Sequence, residues 1–94
     1  MLEIGRKSET EISLWGEANL ASAQELHSAL AELLDAPGVT TIDLAGLTEI
    51  DLAGLQILAA FVMARGRERV AFSGWTEPVR RHVRLSGFDE WLPA

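Results

Sequence analysis

The sequence contains no cysteine. A disulfide framework, a thiolate nucleophile and a thiolate metal site are therefore all excluded. The two histidines, His27 and His82, fall on separate predicted helices and form no metal-binding motif. We therefore expect neither a metal ion nor another cofactor.

Catalytic motifs are missing as well. The chain has no Gly-x-Ser-x-Gly elbow, no phosphate-binding loop, no Gly-x-Gly-x-x-Gly and no His-Glu-x-x-His. Asp43, Glu49 and Asp51 could meet where a strand joins a turn. Carboxylates without a histidine or a metal are weak evidence for acid–base catalysis, so we predict that the protein is not an enzyme.

Long apolar runs are also lacking. The longest, Ile57 to Ala64, is far shorter than the roughly 20 residues that cross a bilayer. The segment from Met1 to Thr10 lacks the apolar core of a signal peptide. We expect a cytoplasmic protein that does not itself insert into a membrane, while a membrane-bound partner stays open.

Positive charge is scarce. Eight lysine and arginine residues stand against 14 aspartate and glutamate residues, which gives a formal net charge of −6. Such a charge repels the phosphate backbone of DNA and RNA, so nucleic acid is not an expected partner. The length of 94 residues, of which 48% are hydrophobic, predicts one domain over residues 1–94 with a single core.

The first part of the chain predicts a hairpin followed by a helix. From Leu2 to Leu14, apolar and polar residues alternate on either side of a polar stretch, as in an antiparallel hairpin. The period becomes helical from Leu20, which falls on the apolar side. Asn19 is one candidate cap for this helix, and a capping box of Ser22 with Glu25 is another.

The remaining pattern predicts an α/β fold. A strand is predicted over Val39 to Leu44, a turn over Ala45 to Ile50 and a helix over Asp51 to about Arg65. A further strand is predicted over Arg69 to Ser73, and a third helix over Thr76 to about Leu85. The complete order, ββαβαβα, predicts a mixed sheet of four or five strands with three helices. The hairpin is expected to be antiparallel and the two crossovers parallel.

The second helix has apolar residues on every side, since Gln56 is its only polar side chain between Asp51 and Arg65. At 100° per residue, one side consists of Leu55, Leu58 and Val62. If that side faces the sheet, the other is an exposed apolar stripe suited to protein binding. The predicted partner-binding residues are Asp51, Leu52, Ala53, Gln56, Ala59, Ala60 and Met63. The competing interpretation is a helix buried on all sides.

The segment from Thr41 to Leu58, with Asp51-Leu52-Ala53-Gly54-Leu55 opening a helix, resembles the signature of the STAS family (sulfate transporter and anti-sigma factor antagonist). In that family a hydrophobic strand leads to an Asp-Ser-Ser-Gly-Leu or Asp-Thr-Ala-Gly-Leu motif. Trp15-Gly16-Glu17 and Val79 to Phe88 resemble the end of its second strand and its C-terminal helix. The resemblance implies a STAS fold and regulatory binding to an anti-sigma factor, a kinase-like ATPase or another signalling protein.

The motif departs from the family at its second position. Anti-sigma factor antagonists have a serine there, and its phosphorylation by a partner kinase controls binding. This chain has Leu52 and then Ala53, which have no hydroxyl group, and the nearest hydroxyl, that of Thr48, does not match the family's site. A phosphate would add about two negative charges and oppose an apolar contact, whereas Leu52 adds to it. We therefore expect docking without a switch at Leu52, and we interpret Asp51 as an N-cap.

Other interpretations stay open. The chain also resembles the STAS subunit of lipid-trafficking ABC transporters, which docks on a cytoplasmic ATPase, although that relative has threonine in place of Leu52. The apolar stripe could instead form a homodimer. The arginines near Arg81 on the third helix could bind an acidic partner or form a solvated surface. Trp15, Trp75 and Trp91 are predicted to be packing anchors at the ends of elements.

Overall fold

The computed structural model describes Met1–Pro93 and contains one four-stranded sheet with the strand order β1-β2-β3-β4. The strands are β1 (Leu2–Arg6), β2 (Glu11–Ala18), β3 (Thr40–Ile50) and β4 (Val70–Ser73). The helices are α1 (Ala23–Ala31), α2 (Leu52–Arg65) and α3 (Glu77–Leu85), and two short 3-10 turns cover Leu20–Ser22 and Arg67–Arg69. The predicted α/β fold, with a mixed sheet and three helices, is confirmed. No helix within the described range is long and apolar enough to cross a bilayer.

The pairing of the strands follows the predicted pattern. β1 is antiparallel to β2, with Leu2 opposite Gly16 and Arg6 opposite Ile12. β2 with β3, and β3 with β4, are parallel pairs, as strand–helix–strand connections require. The connections lead from β2 to β3 through α1 and from β3 to β4 through α2. Because both are right-handed and move in the same direction across the sheet, α1 and α2 lie on the same face.

The two faces of the sheet differ in burial. Ile12 and Leu14 of β2 and Ile42 and Leu44 of β3 are fully buried and join the core together with residues of all three helices. The intervening positions, such as Trp15, belong to the opposite face. None of these intervening side chains is part of the core within the described residues, so that face is open.

β3 is longer than the pattern predicts. The turn predicted over residues 45–50 is wrong, because Thr40–Ile50 forms one continuous strand. Gly46 pairs with Trp15 and Ile50 pairs with Ala18, and two register shifts interrupt the pairing on β2, between Ser13 and Trp15 and between Gly16 and Glu17. Pairing with β2 therefore overrides the local turn signal, and the strand leads directly to Asp51.

α1 begins after a 3-10 turn. The side chain of Asn19 accepts a hydrogen bond from the backbone N–H of Ser22 at 3.2 Å, and the hydroxyl of Ser22 accepts one from the N–H of Asn19 at 3.0 Å. Of the two predicted caps, Asn19 is therefore the one used, and Ser22 makes no side-chain cap of α1. The expectation that Leu20 is buried is wrong: it is 77% exposed, because the 3-10 turn interrupts the helical period.

α2 ends at Arg65 as predicted. Gly66 has a φ of +103°, and its N–H donates to the carbonyl oxygen of Val62 at 2.8 Å. The Arg65 side chain is buried, and its Nε donates to the Thr40 hydroxyl at 2.9 Å. Its terminal nitrogens donate to the carbonyl oxygens of Leu34, Ala36 and Gly38 at 2.7–2.9 Å. Arg65 thus fixes the loop between α1 and β3 through oxygen atoms that carry no formal charge.

Candidate functional site

Asp51 connects two helical segments at the end of β3. Its Oδ1 accepts a hydrogen bond from the N–H of Gly54 at 3.1 Å and caps α2. Its Oδ2 accepts a hydrogen bond from the N–H of Leu20 at 3.0 Å, at the start of the turn before α1. The N-cap interpretation is confirmed, and both carboxylate oxygens are bonded within the chain itself.

Gly54 allows α2 to pack directly against the end of β2. A Cβ at this position would lie 2.7 Å from the carbonyl oxygen of Ala18 and 2.8 Å from a side-chain carbon of Ile50. Both distances are shorter than van der Waals contact allows. The aspartate and the glycine of the motif are therefore required by the fold, while Leu52 between them is 52% exposed.

The exposed side of α2 begins at Leu52 and continues along the helix. Met63, near the other end, is 54% exposed. Gln56 and Ala60 are also exposed, and Ala53 is half-buried. The structure thus brings five of the predicted binding residues to one apolar side, directly after Asp51. A helix buried on all sides is ruled out.

Ala59 does not belong to this exposed side. The expectation that it is exposed is wrong, because it is only 2% accessible. At 100° per residue it lies between exposed Leu52 and buried Leu55, so its burial places the edge of the exposed side at Ala59. Val62, further around the buried side, lines a cavity together with Trp91 and Pro93, so the C-terminal segment lies beside Val62.

Two residues absent from the predicted set extend the surface toward α1. Ala64 is exposed and Ile57 is half-buried. Both line a groove of about 240 Å³ between α1 and α2, whose other lining residues are His27, Leu30, Ala31, Leu34, Ala60 and Phe61. The spacing of Ala53, Ile57, Ala60 and Ala64 marks one stripe along the helix. This spacing is visible in the sequence, but it does not show which stripe of the helix faces solvent.

Leu20 is a further exposed residue that pattern analysis missed. Its backbone is bonded to Asp51, the residue directly before Leu52. The two exposed leucines therefore lie at the same end of the molecule, beside the start of α2. Thr48, which precedes Asp51 on β3, is also exposed, and its hydroxyl donates a hydrogen bond to the carbonyl oxygen of Gly16 at 3.1 Å.

Two of the three carboxylates considered for catalysis, Asp43 and Asp51, make structural contacts. Asp43 accepts a hydrogen bond from the N–H of Ala45 at 2.9 Å and lies 3.9 Å from the Nζ of Lys7. Asp51 is occupied as described above. Within residues 1–93, no group of three or more His, Cys, Asp or Glu side chains is arranged to hold a metal ion.

α3 has a basic outer surface. The Nη1 of Arg80 lies 3.8 Å from the Oε2 of Glu77 on the same helix. Arg81 and Arg84 are exposed, and no carboxylate in the described range lies within 4.0 Å of their guanidinium groups. Leu85 beside them is exposed.

Comparison with known proteins gives the family. The sequence model described as "Mlab, STAS domain" matches residues 4–93. No curated protein matches the chain significantly. Among solved structures, the chain is similar to an anti-sigma factor antagonist from Mycobacterium paratuberculosis, with 26% identity and a TM-score of 0.79 over 96% of this chain and 80% of that one.

Two structures of SpoIIAA share the fold at lower identity. The anti-sigma factor antagonist SpoIIAA in its unphosphorylated form has 9% identity and a TM-score of 0.67, covering 90% of this chain and 83% of that one. The Bacillus cell fate determinant SpoIIAA in its phosphorylated form has 11% identity and a TM-score of 0.68, covering 97% and 87%. Because the family model also matches almost the whole sequence, the chain belongs to the STAS family.

Proposed function

We propose that this chain is a regulatory protein-binding module of the anti-sigma factor antagonist type, which acts in the cytoplasm and has no catalytic activity. Its docking surface is the exposed side of α2, consisting of Asp51, Leu52, Ala53, Gln56, Ala60 and Met63, with Ile57 and Ala64 in place of Ala59. The partner is an anti-sigma factor, a kinase-like ATPase or another signalling protein. The observation that supports this most directly is the exposure of Leu52 and Met63 on one apolar side.

Contact with a partner would remove this apolar surface from water. Contiguous exposed apolar patches on a folded domain mark interaction sites. The alanines permit a partner backbone to approach closely, and Met63 can adapt its shape to the partner. Leu20 lies at the same end of the molecule and extends the surface beyond α2.

Docking at this surface is not switched by phosphorylation at the usual motif position. Leu52 has no hydroxyl to modify, and Ala53 has none either. The carboxylate of Asp51 could bind a ligand only by losing its hydrogen bonds to the backbone N–H groups of Gly54 and Leu20. The surface is therefore permanently competent to bind, and any control acts elsewhere.

The test compares Leu52→Asp with Leu85→Asp. A negative charge near a helix N-terminus is favourable, so aspartate at position 52 keeps the fold and removes the apolar contact. Leu85 is the matched control, because it is an exposed leucine on α3. A tagged chain is expressed in its native cells, the bound protein is identified, and binding of the purified pair is measured by calorimetry.

We expect Leu52→Asp to weaken binding by about tenfold or more, as for an interface residue worth over ~1.4 kcal/mol. Leu85→Asp should change the affinity by less than about twofold, as expected outside an interface. Wild-type affinity in the Leu52→Asp variant, with the fold intact by circular dichroism, would contradict the proposal.

A second candidate is a subunit that docks on the ATPase of a lipid-trafficking ABC transporter. Leu52 weakens this candidate, because the relative that it resembles has threonine at this position. The protein that co-purifies separates the two candidates: a signalling ATPase supports the first and a transporter ATPase the second. If the surface instead forms a homodimer, sedimentation will show a dimer that Leu52→Asp dissociates.

A further inference from the structure

Trp15 lies across the open face of the sheet. A Cβ on Gly5 would lie 2.7 Å from Cζ3 of the indole, and a Cβ on Gly46 would lie 2.7 Å from its Nε1. The ring therefore spans β1 to β3 and needs glycine on both sides. Ser13, opposite Gly5 in the register, is buried although it belongs to this face, which places it under the ring. Trp15 is a packing anchor on its inner side, yet it remains 41% exposed.

Carboxylates lie around the exposed indole. Glu3 is directly opposite Trp15 in the pairing of β1 with β2. Glu17 follows on the strand of Trp15 and is opposite Glu49 in the pairing of β2 with β3. Like charges at opposite positions of a sheet destabilise it. A cation bound here would relieve that repulsion.

Few cationic groups of the described chain lie near these carboxylates. Glu17 pairs with the amino group of Met1 at 2.9 Å. Within residues 1–93, no cationic group lies within 4.0 Å of the carboxylates of Glu3 or Glu49. A shallow cavity of about 340 Å³ lies beside the ring, lined by Met1, Glu3, Trp15 and Gly16. An exposed aromatic ring, an uncompensated carboxylate and space for a side chain thus occur together.

We propose that Trp15 and Glu3 bind an arginine side chain in a basic segment of a partner protein. The guanidinium stacks on the outer face of the indole and pairs with the carboxylate of Glu3, and Glu49 adds to the attraction. Arginine is preferred to lysine because its planar group can stack and form two parallel hydrogen bonds. This surface is on the side of the sheet opposite to α2, so the proposal is independent of the function proposed above.

The test uses hexa-arginine and hexa-lysine peptides as probes. Binding is followed by the indole N–H signal of Trp15 in ¹H–¹⁵N spectra, assigned with Trp15→Phe. The double variant Glu3→Gln/Glu49→Gln removes the two carboxylates of this surface that have no cationic group within 4.0 Å in the described chain. Its control, Glu25→Gln/Glu68→Gln, makes the same change in net charge at exposed positions elsewhere.

Hexa-arginine should shift the Trp15 signal and bind about threefold or more tightly than hexa-lysine, given a stacking gain of roughly 0.5–1 kcal/mol. Glu3→Gln/Glu49→Gln should weaken hexa-arginine binding about fivefold, and the control by less than about twofold, since distant exposed charges are largely screened.

Equal affinity for the two peptides, or equal losses in the two double variants, would show a general effect of an acidic surface and overturn the proposal. Self-association that protects the Trp15 signal and is lost on Arg81→Glu would assign the surface to a second copy of the chain. That result would also overturn the proposed partner. All variants are first compared by thermal unfolding, and the glutamine variants keep the ring and its glycines in place.

Discussion

The Oδ2 of Asp51 accepts a hydrogen bond from the backbone N–H of Leu20 at 3.0 Å, across 31 positions of sequence. Because Asp51 also caps α2, this single side chain fixes the start of α2 relative to the turn that precedes α1. It also brings exposed Leu20 to the same end of the molecule as exposed Leu52. The motif aspartate thus holds together the two segments that carry exposed Leu20 and exposed Leu52.

Asp51→Ala is expected to lower the free energy of unfolding by about 2–3 kcal/mol, because an N-cap contributes ~1 kcal/mol and a bond to a charged acceptor ~1.5 kcal/mol. Asp51→Asn keeps one acceptor for the N–H of Gly54 and loses the one for Leu20, so it should cost about half as much. Urea denaturation measures both values. If the alanine variant unfolds at the wild-type midpoint, the two bonds contribute nothing.

Gly54→Ala should destabilise the protein although alanine is the better helix former. Helix propensity alone favours the change by roughly 1 kcal/mol, but the new Cβ would lie 2.7 Å from the carbonyl oxygen of Ala18. The reverse exchange at an exposed site, Ala60→Gly, should cost about 1 kcal/mol by propensity alone. Thermal unfolding of both variants tests this. An increase in Tm for Gly54→Ala would show that α2 is not in close contact with β2.

Arg65→Lys is expected to lower the free energy of unfolding by about 2–4 kcal/mol. Lysine cannot reproduce the planar fork of donors, and each buried acceptor left without a partner costs about 1–3 kcal/mol. The control is Arg69→Lys, at an exposed position, where a change within about 0.5 kcal/mol is expected. Chemical denaturation gives both free energies of unfolding. Equal effects would mean that the Arg65 guanidinium does not stabilise the loop between α1 and β3.

Leu20→Ser should weaken partner binding by about five- to tenfold, if the proposed docking surface is correct, because an exposed leucine at an interface contributes about 1 kcal/mol. Its exposure means that the fold should be retained. Calorimetry with the protein that co-purifies in the test proposed above measures the affinity. Leu20→Ser binding as tightly as wild type would confine the docking surface to α2.

Features that depend on near neighbours in sequence could be predicted from the sequence. The cap at Asp51 and the end of α2 at Gly66 each involve residues at most four positions away. The order of strands and helices follows from hydrophobic period and turn residues in the same local way. The STAS motif is also contiguous, so its departure at Leu52 is visible without any structure.

Other features were decided by contacts between distant segments. Pairing with β2 turned the predicted turn at residues 45–50 into strand, and the C-terminal segment lies beside the buried Val62 of α2. Burial of Arg65 depends on the loop after α1, and the position of the Trp15 ring depends on glycines in two other strands.

The sequence by itself therefore determined the fold class, the family motif and which helix is rich in apolar residues, because local spacing encodes these properties. Only the tertiary structure decided which side of that helix meets water. Exposure depends on which distant segments cover a residue, and side chains that look equivalent in a helical pattern, such as Ala59 and Ala60, end on opposite sides of that boundary.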